Sequence, residues 1–336
     1  MAQDPTGIAL NVLNRFAGSS WADRLGLRKP VEKSAYTLTK TGFRLIATAA
    51  RQFGGKQKLD KPERLNKPGY TTDLFDLNIS DEQQMIRESV QSFARDVLRE
   101  QAHDLDGRLD MPDDLFAQAN ELGLAMFSVP EALGGAAAER SPVTATLIAE
   151  DLAHGDLSLA LGILCPISVA NALTQWGDAA QQSKYLPEFC GDKPPLATIA
   201  VNEPVPLFNP HRMTTRAVRR GNDWVLNGAK SLVPLANRSE LMLVAAQTEQ
   251  GPAVFIVEGG CKGVSFTDDR GMGLRATGLC RVTLEDVVLP AEAKLGTDDF
   301  DYRAFLDYGT LGWCALATGT AQAALDYLVP YVNDRV

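Results

Sequence analysis

Apolar positions along the chain change period twice. From Ser80 to Phe189 they recur every three or four residues, the spacing of one face of an α-helix. Between Leu196 and Pro290 the pattern shortens. Runs such as Leu241 to Ala246 and Ala253 to Val257 are punctuated by Gly221-Asn222, Asn227-Gly228, Gln250-Gly251 and Gly259-Gly260. Short strands separated by turn pairs predict an antiparallel β-barrel or sandwich. From Asp301 onward helical spacing returns, with Leu311, Ala315, Thr318, Gln322, Leu325 and Leu328 stepping by three or four.

The fold expected is therefore α+β. An all-α domain over 71–195 precedes a central β domain over 196–295, and the first part of a C-terminal helical bundle occupies 296–336. Within the first domain Ser80 and Gln83 fit a capping box. Ile86, Val90, Phe93 and Val97 form the stripe behind it. Pro112 starts a second helix, where a missing N–H costs nothing, and Gly123 ends it. A loop follows through Phe127 to Pro130 and Leu133 to Gly135. Ala145 to Ala153, Leu157 to Trp176 and Ala179 to Phe189 read as further helices. Small residues at Ala315, Ala317, Gly319, Ala321, Ala323 and Ala324 permit close helix approach late in the chain. The pattern stops mid-helix at Val336, so the sequence reads as truncated.

Charge separates one further unit. Residues 1–70 carry +8 and the remainder −17, within an overall −9. The acidic body argues against nucleic acid as a partner. From Val31 to Phe53, Ala35, Leu38, Gly42, Leu45, Ile46, Ala49 and Phe53 share one helical face. Lys33, Lys40, Arg44 and Arg51 share the other. Two readings of this basic amphipathic stretch stand: contact with an anionic membrane surface or acidic partner, or packing on the protein's own body with solvated lysines. The second is favoured. Gly54 to Tyr70 has linker composition.

Chemistry is sparse on these criteria. The glycine pattern of a dinucleotide or phosphate loop is missing; Gly271-Met272-Gly273 lacks the third glycine. His103, His154 and His211 are isolated, so no metal site is expected. Cys165, Cys190, Cys261, Cys280 and Cys314 read as reduced core thiols of a cytoplasmic protein. The longest apolar run, Leu157 to Leu164, is too short for a bilayer, which takes about 20 residues.

A set of short signatures carries more. Asp81-Glu-Gln-Gln-Met-Ile-Arg87, Glu121-Leu-Gly-Leu124, Pro130-Glu-Ala-Leu-Gly-Gly135, Glu150-Asp-Leu-Ala153, Tyr185-Leu-Pro187, Asn202-Glu-Pro204, Asn227-Gly-Ala-Lys230, Met272-Gly-Leu-Arg275, Glu285-Asp-Val-Val-Leu-Pro290 and Gly319-Thr-Ala-Gln-Ala-Ala324 follow one another in that order. From about residue 74 to the end, the chain resembles the acyl-CoA dehydrogenase family. The resemblance implies FAD between the β domain and the bundle, with α,β-desaturation of an acyl-CoA thioester in fatty acid β-oxidation. It also implies electrons passed to an electron-transfer flavoprotein, and a homodimer or homotetramer.

Residue by residue, the resemblance assigns the cofactor to Val201, Asn202, Leu232, Val233 and Pro234, and the substrate to Pro130, Gly134, Gly135, Asn209 and Arg275. Departures from the family pattern fall in both loops. Asn202 stands where the family has Thr, and Val205-Pro-Leu-Phe-Asn209 replaces its small, polar run. Lys230-Ser-Leu-Val-Pro234 stands where the family has Lys-x-Trp-Ile-Thr. The family's base falls either beyond Val336 or near Gly309 and Thr310, neither of which can take a proton, and Asp307 is out of register. No catalytic residue is assigned, and the chain alone is expected to bind FAD weakly and turn over little. The alternative is a non-catalytic, partner-binding scaffold with a degenerate flavin site.

Overall fold

A computed structural model of the protein describes residues 79–137 and 141–334. The basic stretch 31–53, the linker 54–70 and the whole extension 1–70 lie outside the described residues. Helix α1 (Asp81–Phe93) begins where Ser80 and Gln83 satisfy each other's backbone N–H groups, at 3.2 and 3.0 Å. This is the capping box read from sequence. A π-helical turn, Ala94–Leu98, leads into α2 (Arg99–Arg108). Pro112 sits just before α3 (Asp113–Glu121), which Gly123 ends at φ 67°. The expected loop contains two short 3-10 turns, Leu124–Ser128 and Glu131–Leu133.

Helix α4 (Pro142–Gly155) is capped by Ser141, and α5 (Leu157–Trp176) by Asp156, which accepts from the Leu159 N–H at 2.9 Å. Helix α6 (Ala179–Tyr185) runs on as a 3-10 turn to Cys190. Sequence reading treated the apolar run in α5 as too short for a membrane. The helix containing it is long and apolar enough by those criteria, but its most apolar window is 78% buried in protein. It is a core helix, and Val90, Leu98, Met111, Leu115, Leu152 and Leu159 pack in the same cluster.

The β domain is a single curled sheet. Its strands are β1 (Ala197–Ala200), β2 (Arg216–Arg220), β3 (Asp223–Val233), β4 (Leu241–Thr248), β5 (Gly251–Glu258), β6 (Val264–Asp268) and β7 (Cys280–Leu289). Their order is β1-β4-β2-β3-β7-β6, with β5 on β4. The pairs β2–β3, β4–β5, β3–β7 and β6–β7 are antiparallel, whereas β1–β4 and the single β2–β4 contact are parallel. Tight turns can join only antiparallel neighbours, and the parallel pairs use long connections.

Three of the four turn pairs do turn the chain: Gly221-Asn222, Gln250-Gly251 and Gly259-Gly260 lie between or just after strands. Asn227-Gly228 does not. It lies inside β3 at a register shift against β7. Gly228 has φ 149°, and a Cβ there would meet Thr215 Cα at 2.6 Å. The pair serves close backbone approach and a bulge. Asn227 exchanges hydrogen bonds with Asp286 across that bulge, at 2.9 and 3.1 Å.

Helix α7 (Tyr302–Asp334) closes the described chain and packs along α4. Its buried residues are Tyr302, Phe305, Ala315, Leu316 and Gly319. Of the apolar stripe read from sequence, Ala315 is buried, but Leu311, Leu325 and Leu328 are 41%, 56% and 49% exposed. The seam instead runs through Ala315, Leu316 and Gly319, with the backbone of α4 closest at Gly319, whereas Ala317, Ala321 and Ala324 are exposed. A Cβ on Gly319 would drive into the Glu150 carbonyl. The cysteines are all free, as expected, but only Cys165 and Cys280 are buried; Cys314, on the outward side of α7, is exposed.

Two glycines of α7 should respond oppositely to alanine. Gly319→Ala forces overpacking at the α4 seam and should cost about 1–3 kcal/mol. Gly312 has open space around it, so Gly312→Ala should stabilise by roughly 0.5–1 kcal/mol through helix propensity. Urea midpoints of both variants check this, and equal shifts of one sign would contradict the seam.

Candidate active site

The chain leaves β1 into a segment that cannot stay solvated. Glu203 and Lys230 have no side-chain exposure at all. Their Oε1 and Nζ atoms lie 3.0 Å apart. Buried charges persist only where every polar atom is met, and here they are. The Thr214 N–H and hydroxyl donate to Glu203 Oε2 at 2.7 and 2.6 Å, and the Thr215 N–H donates to Oε1 at 2.9 Å. Lys230 also donates to the Val201 carbonyl at 3.0 Å and lies 3.6 Å from Met213 Sδ. Burial acts to raise the Glu203 pKa, but the bonds from Thr214 and Thr215 outweigh it and bring it down to about 2. Burial draws Lys230 down to about 8 against the attraction of Glu203.

This pair sets the neighbours in place. The Ser231 N–H donates to the Asn202 carbonyl at 2.9 Å. Val201 and Asn202, at the end of β1, therefore lie beside Ser231 and Leu232, at the end of β3. The Asn202 side chain is exposed, and its carboxamide has no hydrogen-bond partner among the described residues. Leu232 is 48% exposed with φ 54°. Val233 is buried in the sheet core and pairs with Cys280 of β7. Pro234 is half-buried and offers no N–H.

The other predicted residues form a rim of separate pieces. Pro130 accepts the Gly135 N–H at 3.1 Å, and Gly134 holds φ 94°. A Cβ on Gly135 would strike the Val129 carbonyl. Val129 lies in the same core cluster against which Leu133 and Val201 pack, so this loop and the Asn202 edge share an apolar floor. Asn209 is spent locally, its side chain accepting the His211 N–H at 2.9 Å. Arg275 reaches Asp106 at 3.2 Å and is half-exposed. The expected position of a base offers none: Asp307 is exposed, 3.8 Å from Arg303. Among the described residues no group of His, Cys, Asp or Glu could hold a metal.

Sequence reasoning quoted Glu203 and Lys230 as motif letters without a role, and it missed Asp269. Asp269 Oδ2 accepts from the Ser231 hydroxyl at 2.5 Å and from the Leu232 N–H at 3.0 Å. The Ser231 bond, with help from the Leu232 N–H and Arg281, holds its carboxyl below the usual range against burial. No periodicity or turn signal points to it.

The comparisons with known proteins agree with this architecture. Residues 80–193 match the family model of the acyl-CoA dehydrogenase N-terminal domain, and residues 198–287 match that of the middle domain. A mitochondrial short/branched chain specific acyl-CoA dehydrogenase of Rattus norvegicus is 29% identical over 269 residues. The match covers 76% of this chain and 61% of the relative. The chain thus spans about three-fifths of that relative's length. Among solved structures, a glutaryl-coenzyme A dehydrogenase in complex with glutaryl-CoA superimposes with TM-score 0.71 at 25% identity, covering 78% of this chain and 69% of the other. A glutaryl-CoA dehydrogenase from Mycobacterium smegmatis in complex with FADH2 gives 0.67 at 25%, covering 75% and 66%. The chain belongs to the acyl-CoA dehydrogenase family.

The residues present fit a flavin in kind. An exposed leucine and an exposed, unpaired carboxamide lie on segments joined by the Ser231–Asn202 hydrogen bond, which suits an apolar ring face with polar edges. Their donors are fewer than the family pattern provides, because Pro206 and Pro234 lack N–H groups and the Leu232 N–H is taken by Asp269.

Lys230→Met should leave Glu203 buried without its counter-ion and cost roughly 3–5 kcal/mol. Glu203 has a folded-state pKa below its ordinary value. Its contribution is therefore fully present above pH 4.5, the ordinary value, and lost as pH falls toward 2. Urea midpoints recorded down that range should fall less steeply for Glu203→Gln than for the unsubstituted protein. Parallel slopes would show that the pair does not carry acid sensitivity.

Proposed function

We propose that this chain supplies the helical and β walls of an FAD-dependent acyl-CoA dehydrogenase that desaturates an acyl-CoA thioester. The observation that carries the reading is the junction of the exposed Leu232 and the unpaired Asn202 carboxamide, within the two family domains. FAD, when bound, supplies the two-electron acceptor for α,β-desaturation. The protein's own work is binding and orientation. Leu232 would cover an apolar ring face by van der Waals contact, and the Asn202 carboxamide would meet a polar edge. The Pro130 to Gly135 loop, with its closely approaching backbone, and Arg275, with its guanidinium, serve the thioester ligand. No described residue at the expected position takes the proton. The reading carries with it a cytoplasmic homo-oligomer that passes electrons to an electron-transfer flavoprotein.

A second reading is a family scaffold that has lost its cofactor. Leu207 favours it: it stands where the family has a small residue, adopts φ 52° and is fully exposed beside Pro206. Quenching of flavin fluorescence on titration with protein separates the two. Saturable quenching supports the dehydrogenase, and none at micromolar protein supports the scaffold. Asn202→Leu should weaken FAD binding about tenfold, near 1.4 kcal/mol, without lowering the thermal midpoint. Unchanged affinity would remove Asn202 from the seat.

A further inference from the structure

Strand β3 pairs with β7 through Lys230↔Val282 and then through Val233↔Cys280. Ser231 and Leu232 together therefore oppose the single residue Arg281. This is a β-bulge, a device that re-aims a side chain and leaves a backbone group without its ladder partner. The released group is the Leu232 N–H. It is not left to solvent: Asp269, one residue past the end of β6, accepts it at 3.0 Å and the Ser231 hydroxyl at 2.5 Å. Asp269 is itself tied to the residue just before β7, its own N–H donating to the Leu279 carbonyl at 2.9 Å.

We propose that Asp269 is the positioning residue of the flavin seat: by capturing both donors of the bulge, it holds Leu232 in the left-handed conformation that projects its side chain outward. The inference rests on the dehydrogenase reading for the identity of the ligand, but not for the geometry. Leucine in this region of φ/ψ space is disfavoured by contact of its Cβ with the backbone. It stays there only if neighbouring interactions over-determine it. Core packing does not supply them, because the side chain is half-exposed. The carboxylate of Asp269 does. Without it, residue 232 relaxes to an extended conformation, the side chain swings off the outward face, and the seat loses its apolar cover.

Amide hydrogen exchange at residue resolution tests the geometry without any cofactor. In Asp269→Ala, exchange of the Leu232 amide should rise at least tenfold, while the Ser231 amide, bonded to Asn202, stays protected. Asp269→Asn keeps an acceptor oxygen and should restore much of the protection. Unchanged protection at Leu232 in Asp269→Ala overturns the proposal. Flavin fluorescence titration tests the consequence. FAD affinity should fall at least tenfold in Asp269→Ala and recover in part in Asp269→Asn. Lost protection with unchanged FAD affinity also overturns the proposal. If the unsubstituted protein binds no FAD, the dehydrogenase reading fails, and the exchange data still decide whether Asp269 sets the bulge.

Discussion

The ion pair of Glu203 and Lys230 is the constraint on which the rest of the site depends. Two opposite charges with no exposure would be ruinous without full pairing. Their satisfaction needs the 214–215 backbone, the Val201 carbonyl and the middle of β3 at one point. The residues around it are correspondingly particular. Gly228 has no Cβ because Thr215 lies against it. Thr215 also donates to the Ala229 carbonyl at 3.4 Å, closing the loop of contacts on β3 itself. A hydrophobic pair of similar volume could fill the space with as much stability. What it could not do is hold a specific carbonyl of the β1 exit in register with the end of β3.

That register has a visible consequence. Once Val201 is drawn to Lys230, the Asn202 carbonyl falls opposite the Ser231 N–H, and Ser231 stops pairing with β7. The bulge follows, and with it the need for an acceptor at Leu232. Asp269 meets that need from just past the end of a third strand, β6, which is joined to the others only through β7. One buried pair on one side and one half-buried carboxylate on the other thus clamp a short stretch of backbone. Loop residues held by a rigid sheet in this way are where binding function concentrates.

Much of this order was legible in the chain. The change of hydrophobic period at Leu196 marks the start of the sheet, and Ser80 with Gln83 marks the first helix, because both signals are local. The family resemblance located the Asn202 and Leu232 segments for the same reason: their motifs are contiguous. The failures are all non-local. Asn227-Gly228 reads as a turn, and only the approach of Thr215 makes it a bulge. Leu311, Leu325 and Leu328 read as a stripe, yet the seam of α7 is set by where the Glu150 backbone comes closest, at Gly319. Asp269 gives no signal, because its role exists only once β3, β7 and β6 are in register.

The left-handed leucines make the same point energetically. Among the described residues Leu109, Leu207, Leu232, Leu235 and Leu274 all have φ between 52° and 61°, at a cost of about 1–2 kcal/mol each. Leu235 is 1% exposed and packs in the helical core with Met111 and Ile163. Its burial, worth roughly 1.5–3 kcal/mol, offsets its strain. Leu232 has no such compensation from its side chain, since half of it faces solvent. Strain without burial is an arrangement that folding stability alone would remove, for instance by glycine at that position. A ligand laid across Leu232 changes the balance: apolar area leaves water at about 25 cal/mol per Å², and the conformation that costs the free protein becomes the one that binds. The strain at Leu235 is thus offset by burial of its own side chain, whereas at Leu232 the Asp269 carboxylate opposes it and an occupant would add to that hold; the fully exposed Leu207 has the same strain and no such acceptor among the described residues.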